Sequence, residues 1–270
     1  MDAIAALAPA ASRQVRAAGP RPVTVFGVRI TDADRPAALR LLDQLRAAPG
    51  TGSVYFVNAH TLNLAAADPA YRDLLNRADL VFGDGTGVRW AARWRGVRLQ
   101  ANLVGTDLVP AWLDSRPGLR VFLLGGSPEL AERAGEGFRR RFPDAELVGV
   151  HRGHLDEAAS QAVIARINAA RPDLLLVGMG NPVQERWIAR HRDRLDAGVC
   201  LGVGGVFAYW AGALDRAPLW LRRRGFEWLH ILRRHPHKAR RYLLGNMAFL
   251  ARLVWRLPAD RRAMRSAHGR

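Results

Sequence analysis

Short unbroken apolar runs alternate along the chain with longer stretches in which apolar residues recur every three or four positions. Val23–Val25 and Val28–Ile30, broken by Gly27, predict a small hairpin. Arg35–Ala47 places Leu39, Leu42 and Leu45 on one side of a helix. Val54-Tyr55-Phe56-Val57 reads as a buried strand with a helix from about Thr61. Leu80-Val81-Phe82 is a further strand, closed by Gly83-Asp84-Gly85. The pattern then becomes regular. Strands are predicted over Arg120–Leu124, Leu147–Val150, Leu174–Val177 and Val199–Val203, and helices over Glu129–Phe142, Asp156–Ala170 and Val183–Leu195. Apolar runs without alternation suit strands covered on both faces. Their alternation with helices of this length predicts βαβ units around a parallel sheet. The expected class is α/β, with a Rossmann-like body.

Turn chemistry agrees. Ser127 and Pro128, after Gly125-Gly126, are a helix cap and a first helical residue. Gly178-Met179-Gly180-Asn181-Pro182 and Gly202-Val203-Gly204-Gly205 follow two other strands, at the carboxyl ends where doubly wound folds bind ligands. Beyond Asp215 only helical spacing remains. Leu243, Met247, Leu250, Val254 and Leu257 make one stripe there, with Arg252 and Arg256 on another face. The expected organisation is a disordered tail over residues 1–22, a body over 23–214 and a helical appendage over 215–270.

Composition sharpens this division. With 270 residues and 49% hydrophobic side chains, a substantial core is expected and a predominantly disordered chain is excluded. The net charge is +17, and residues 216–270 carry +13 of it, fifteen Arg or Lys against Glu227 and Asp260. Charge segregated in this way calls for a polyanionic partner: anionic lipid, nucleic acid or a phosphorylated ligand. Cys200 is the single cysteine, so no intrachain disulfide forms, which fits a reducing compartment. No apolar run reaches the roughly 20 residues needed to span a bilayer. The start, Met1 to Leu7, is too short and weakly apolar for a signal peptide. A cytosolic body is expected.

Several residues can carry chemistry. Asp84, between two glycines after a strand, suits a general base on a sugar hydroxyl, a metal ligand or a plain turn. The glycine-rich turns complete neither a G-x-G-x-x-G fingerprint nor a P-loop. Gln184 and Glu185 fall in the first turn of a helix, where an amide can read a nucleotide or sugar edge or simply stand exposed. His151 and His154 have no third ligand nearby and read as a loop rather than a zinc site. In the appendage, Arg222, Arg223, Arg224, Arg233, Arg234 and Lys238 interleave with Trp220, Phe226, Trp228 and Tyr242. This mixture suits single-stranded nucleic acid or an anionic membrane surface. A nucleic-acid-binding protein is therefore the alternative function.

Taken in order, the motifs resemble one family. They are Asn58 with Ala-His-Thr-Leu-Asn-Leu-Ala, Ala78 to Asp84-Gly85-Thr86-Gly87-Val88, and Gly105-Thr106-Asp107-Leu108. Pro172 to Gly178, Asn181-Pro182-Val183-Gln184-Glu185-Arg186-Trp187-Ile188, and Gly202 to Phe207 with Arg216-Ala217-Pro218 follow. Gly225-Phe226-Glu227-Trp228, Pro236 and Arg241-Tyr242 close the string. The chain is similar over about residues 23–245 to the WecG/TagA/CpsF family of bacterial glycosyltransferases. The resemblance implies an inverting transfer from a UDP-sugar to a polyprenyl-diphosphate-linked sugar in surface-polysaccharide or wall-polymer biosynthesis. It implies no cofactor and no metal, and a basic appendage apposed to the inner face of the cell membrane. Self-association into a homo-oligomer is compatible with it. Carried onto this chain, it makes Asp84 the catalytic base. Asn58, Thr61, Asn102 and Gln184 line the pocket, Gly204 and Gly205 let backbone approach the nucleotide, and Arg216, Lys238 and Arg241 handle phosphate. Phe56, Asn102 and Ile231 depart from residues common in the family.

Overall fold

A computed structural model describes residues 22–218, 221 and 245–255. The tail through Arg21, and Lys238, Arg241 and most of the appendage, lie outside the described residues. The hairpin is as expected: β1 (Val23–Val25) and β2 (Val28–Ile30) pair antiparallel, Val25 opposite Val28. Phe26 and Gly27 turn the chain with φ of 49° and 81°, the two positive values a two-residue turn of this hand requires.

The body is a six-stranded parallel sheet. Its strands are β3 (Gly52–Val57), β4 (Leu80–Gly83), β5 (Arg120–Gly125), β6 (Glu146–His151), β7 (Leu174–Gly178) and β8 (Val199–Gly202), in the order β4-β3-β8-β7-β5-β6. Successive side chains feed two separate cores. Tyr55, Val57, Phe122, Leu124, Leu175 and Val177 point to one, and Val54, Phe56, Val121, Leu123, Leu174 and Leu176 to the other. Both faces are buried, which is why these strands read as unbroken apolar runs. Cys200 is wholly buried, and burial pushes its thiol up to about 12, so it is inert.

On the first face lie α2 (Ala59–Ala67), α3 (Pro69–Asn76), α4 (Thr86–Trp94), α7 (Glu157–Ala170) and α8 (Val183–His191). The other face carries α1 (Arg35–Ala47), α5 (Gly105–Ser115), α6 (Pro128–Arg141) and α9 (Val206–Trp210). Ser127 caps α6 through Leu130 N–H, with Pro128 at its first position as expected. The helix expected to reach Leu195 ends at His191 and gives way to a 3-10 turn over Arg192–Arg194. Strands β4, β3 and β7 hand the chain to the first face, whereas their neighbour β8 hands it to α9 on the other. Diverging connections leave a crevice at the carboxyl edge of the sheet, where parallel α/β folds place their ligands.

Candidate active site

Asn58 and Asp84 are the first residues past β3 and β4, whose ladder ends with Val57 opposite Gly83. Asp84 N–H still donates to Val57 O at 2.8 Å, extending the pairing and seating the half-buried Asp84 beside Asn58. Gly85 then reverses the chain with φ 97°. Its N–H donates to Asn102 Oδ1 at 2.8 Å, and Leu103 N–H donates to Gly83 O at 3.2 Å. Asn102 thus braces the turn that carries Asp84. A carboxylate on so fixed a turn, at the mouth of a crevice, is placed to accept a proton from a bound hydroxyl.

The glycines of the crevice fall into two classes. At Gly125 and Gly178 a Cβ would lie 2.4 Å from Gly178 O and 2.9 Å from Phe207, so these glycines let strand ends and α9 pack closely. At Gly85, Gly180, Gly204 and Gly205 a Cβ would meet nothing within 4 Å among the described residues. Left-handed φ values of 97°, 81° and 57° call for glycine at Gly85, Gly180 and Gly204, whereas at Gly205, with φ −79°, neither strain nor packing does. All four leave bare backbone facing open space, as a phosphate-binding surface requires.

Gln184 ties two of the open turns together. Its Oε1 accepts from Gly180 N–H at 3.2 Å and Gly204 N–H at 3.0 Å, and its Nε2 donates to Glu185 Oε1 at 2.7 Å. Neither residue is the exposed helix start their position allowed: Gln184 is 1% exposed and Glu185 0%. Glu185 also accepts from Asn181 Nδ2 (2.6 Å) and Tyr71 Oη (3.1 Å). Burial is the main reason the Glu185 carboxyl is raised above the usual carboxylate range, opposed by its hydrogen bonds, that from Gln184 foremost. Burial, then the facing Glu185 charge, raises Tyr71 and Tyr55 as well.

The remaining expected site residues are placed as follows. Asn58 Oδ1 caps α2, accepting from His60 N–H (3.0 Å), Thr61 N–H (3.2 Å) and Thr61 Oγ1 (3.3 Å), so Asn58 and the buried Thr61 form one unit at the end of β3. Arg216 donates to Thr106 O and to Asp107 Oδ1, both at 3.0 Å, which fastens the chain leaving the body to the start of α5. The structure therefore brings together Asn58, Asp84, Asn102, Gln184, Gly204 and Gly205 along one sheet edge. Glu185 is the member whose part in this network the sequence did not reveal.

Residues 245–255 are helical and rest on the body. Phe249 and Leu253 are buried, Phe249 lying 5.4 Å from Phe26 ring to ring, and Arg252 Nη1 donates to Asn63 Oδ1 at 2.8 Å. The expected apolar stripe is not the packed one. Met247, Leu250 and Val254 are exposed, as is Trp255, because Phe249 and Leu253 form a second apolar line at i, i+4 and that line meets the body. Leu243 and Leu257 lie outside the described residues. Beside this helix, α4 exposes Trp90 and Trp94. Among the described residues no helix is long and apolar enough to cross a membrane, and no group of three or more His, Cys, Asp or Glu is clustered to hold a metal ion.

Comparison with known proteins bears on the same residues. The N-acetylglucosaminyldiphosphoundecaprenol N-acetyl-beta-D-mannosaminyltransferases of Staphylococcus aureus strains NCTC 8325 / PS 47 and COL are each 32% identical over 215 residues. The match covers 77% of this chain and 83% of each relative. The model of the "Glycosyl transferase WecG/TagA/CpsF family" matches residues 23–263, which takes in the whole sheet and every site residue named above. The chain is a glycosyltransferase and belongs to the WecG/TagA/CpsF family.

Proposed function

We propose that this glycosyltransferase moves a sugar from a UDP-sugar to a polyprenyl-diphosphate-linked sugar, with Asp84 as general base. The observation that carries the proposal is the pairing of Asp84, on its braced turn, with the open backbone of Gly180, Gly204 and Gly205 along the same edge. Asp84 takes the proton of the acceptor hydroxyl as its oxygen attacks the anomeric carbon. The bond from that carbon to the UDP oxygen breaks, and its electron pair leaves on the diphosphate. One displacement of this kind inverts the anomeric centre. The exposed backbone of the glycine turns, Gly205 included, holds the donor's diphosphate before and during reaction, while Lys238 and Arg241 from the appendage receive the charge growing on the leaving group without a metal. Asn58, Thr61 and Asn102 hold the acceptor side in shape.

The acceptor class is supported by the relatives, whose name specifies transfer to N-acetylglucosaminyldiphosphoundecaprenol. Such an acceptor is anchored in a membrane. Peripheral association at its inner face is supported by the outward line of Met247, Leu250, Val254 and Trp255, and by Trp90 and Trp94 among the exposed Arg89 and Arg93 of α4. Indole rings suit the bilayer interface and arginines suit anionic headgroups. The test is UDP release from a panel of UDP-sugars, N-acetylmannosamine and N-acetylhexosamines included, with and without a polyprenyl-diphosphate-sugar. Acceptor-dependent release from one donor is expected. Folded protein that neither binds UDP nor releases it, yet binds oligonucleotides with a steep salt dependence, would replace this reading with the nucleic-acid one.

A further inference from the structure

Glu185 is a fully buried carboxylate in the first turn of α8, a place where acids ordinarily face water and complement the helix dipole. Its oxygens are divided between two tasks. Oε2 accepts from Tyr71 Oη of α3, while Oε1 accepts from Asn181 Nδ2 and from Gln184 Nε2. The second task has a consequence for Gln184. With its NH2 committed to the carboxylate, the amide oxygen must face the N–H groups of Gly180 and Gly204. A flipped amide would set oxygen against oxygen and N–H against N–H at three contacts. The side chains sit tightly under the sheet edge: a Cβ on Gly202 would lie 3.0 Å from Gln184 Nε2 and 3.4 Å from Glu185 Oε1.

We infer that Glu185 is a positioning residue for the transfer: it sets the Gln184 amide, which engages the N–H groups of Gly180 and Gly204, so that the two turns are held as one cradle whose remaining backbone meets the nucleotide. It touches no substrate and acts through Gln184 and through Asn181 of the first turn. The inference rests on the reading of those glycine turns as the surface that takes the nucleoside diphosphate. If the cradle binds donor equally before and during reaction, loosening it raises donor KM while leaving kcat nearly unchanged.

Four variants separate the role from simple support of the fold. Glu185→Met removes the acceptor. Glu185→Gln keeps it, because the new amide can present oxygen to Asn181 and Gln184 and NH2 to the Tyr71 hydroxyl, which accepts as well as it donates. Tyr71→Phe removes the bond to Oε2 and the hydroxyl's contact with Asn181, and leaves the Glu185–Gln184 bond in place. Gly205→Ala blocks the cradle without touching Glu185. The readouts are UDP affinity by calorimetry, donor KM and kcat with the full chain, and Tm. Glu185→Met is expected to weaken UDP binding and raise KM by about tenfold or more with kcat within about threefold, the loss of one shared acceptor under a charged ligand. Glu185→Gln is expected to restore both to within about threefold, and Tyr71→Phe to lower Tm without moving either. A folded Glu185→Met protein that binds UDP like wild type, while Gly205→Ala binds it weakly, overturns the inference and leaves the cradle standing. Unchanged UDP affinity in both overturns the cradle, and the inference with it. If Glu185→Met does not fold, Glu185→Asp, too short to reach Gln184, serves in its place with the same two outcomes.

Discussion

Gly205→Ala isolates ligand approach from every other role a glycine can play. The residue has φ −79° and ψ 9°, which alanine adopts without strain, and the added methyl meets nothing within 4 Å among the described residues. Alanine reduces the freedom of the unfolded chain, a gain of about 0.4–1 kcal/mol. Against this stands the preference for glycine over alanine at the N-cap of α9, commonly somewhat under about 1 kcal/mol. The two effects oppose, so Tm should move by no more than about 2–4 °C. Gly204 offers no such clarity, since its φ of 57° would add strain of about 1–2 kcal/mol to any side chain. If a diphosphate takes a hydrogen bond from this backbone, the methyl occupies its space and costs one charge-assisted bond, about 1.5–3 kcal/mol. That corresponds to a loss of roughly ten- to hundredfold in UDP affinity. Calorimetric titration with UDP, paired with a thermal melt, reads both quantities on one sample. A Gly205→Ala protein that keeps its Tm and binds UDP as tightly as wild type refutes the use of this backbone as a nucleotide surface.

Other consequences follow from the same geometry. Asn102→Ala strips Gly85 N–H of its 2.8 Å acceptor, and should cost about 1 kcal/mol of stability and lower kcat more than donor affinity, because it loosens the Asp84 turn rather than the cradle. Equal losses in kcat and UDP affinity would contradict that division. Glu185 has a folded-state pKa raised by burial from 4.5. Its contribution is therefore fully present below that value and declines as pH rises through the folded value. Glu185→Gln lacks the titration, so its Tm relative to wild type should climb as pH increases from about 4.5, and a difference that stays flat with pH would count against the buried charge. Replacing Trp90 and Trp94 with alanine removes exposed indoles and should leave Tm within about 2–4 °C of wild type while weakening co-sedimentation with phosphatidylglycerol vesicles. Undiminished sedimentation would remove α4 from the membrane-facing surface.

What could be read from the sequence depended on how local the signal was. The hairpin announced itself through Gly27 between two β-type runs, and α6 through Ser127-Pro128, and both stand where they were expected. By contrast α4 and α5 passed unnoticed. Neither has a side-chain cap, since Gly85 and Val104 occupy those positions, and Pro110 sits inside α5. Helix α3 did carry a cap and a proline, Asp68-Pro69, but the apolar run of α2 before it masked the break. At the site, Asp84 and the glycine turns were legible because strand ends and glycines are local signals. Sequence could not separate packing glycines such as Gly125 from open ones such as Gly205, because that depends on what lies across the crevice. Glu185 was illegible for a similar reason: Tyr71, its partner from α3, is 114 positions away. In the last helix, spacing revealed an apolar face but not which of two such faces the body would cover.

The central claim is that a family glycosyltransferase uses Asp84 as its base. It is tested most directly by measuring sugar transfer and UDP binding side by side in Asp84→Asn. General-base loss predicts a fall in kcat of roughly a hundred- to ten-thousandfold with UDP affinity and Tm held near wild type. A variant that transfers sugar at close to the wild-type rate, or that loses transfer only because it no longer binds UDP, would contradict the account.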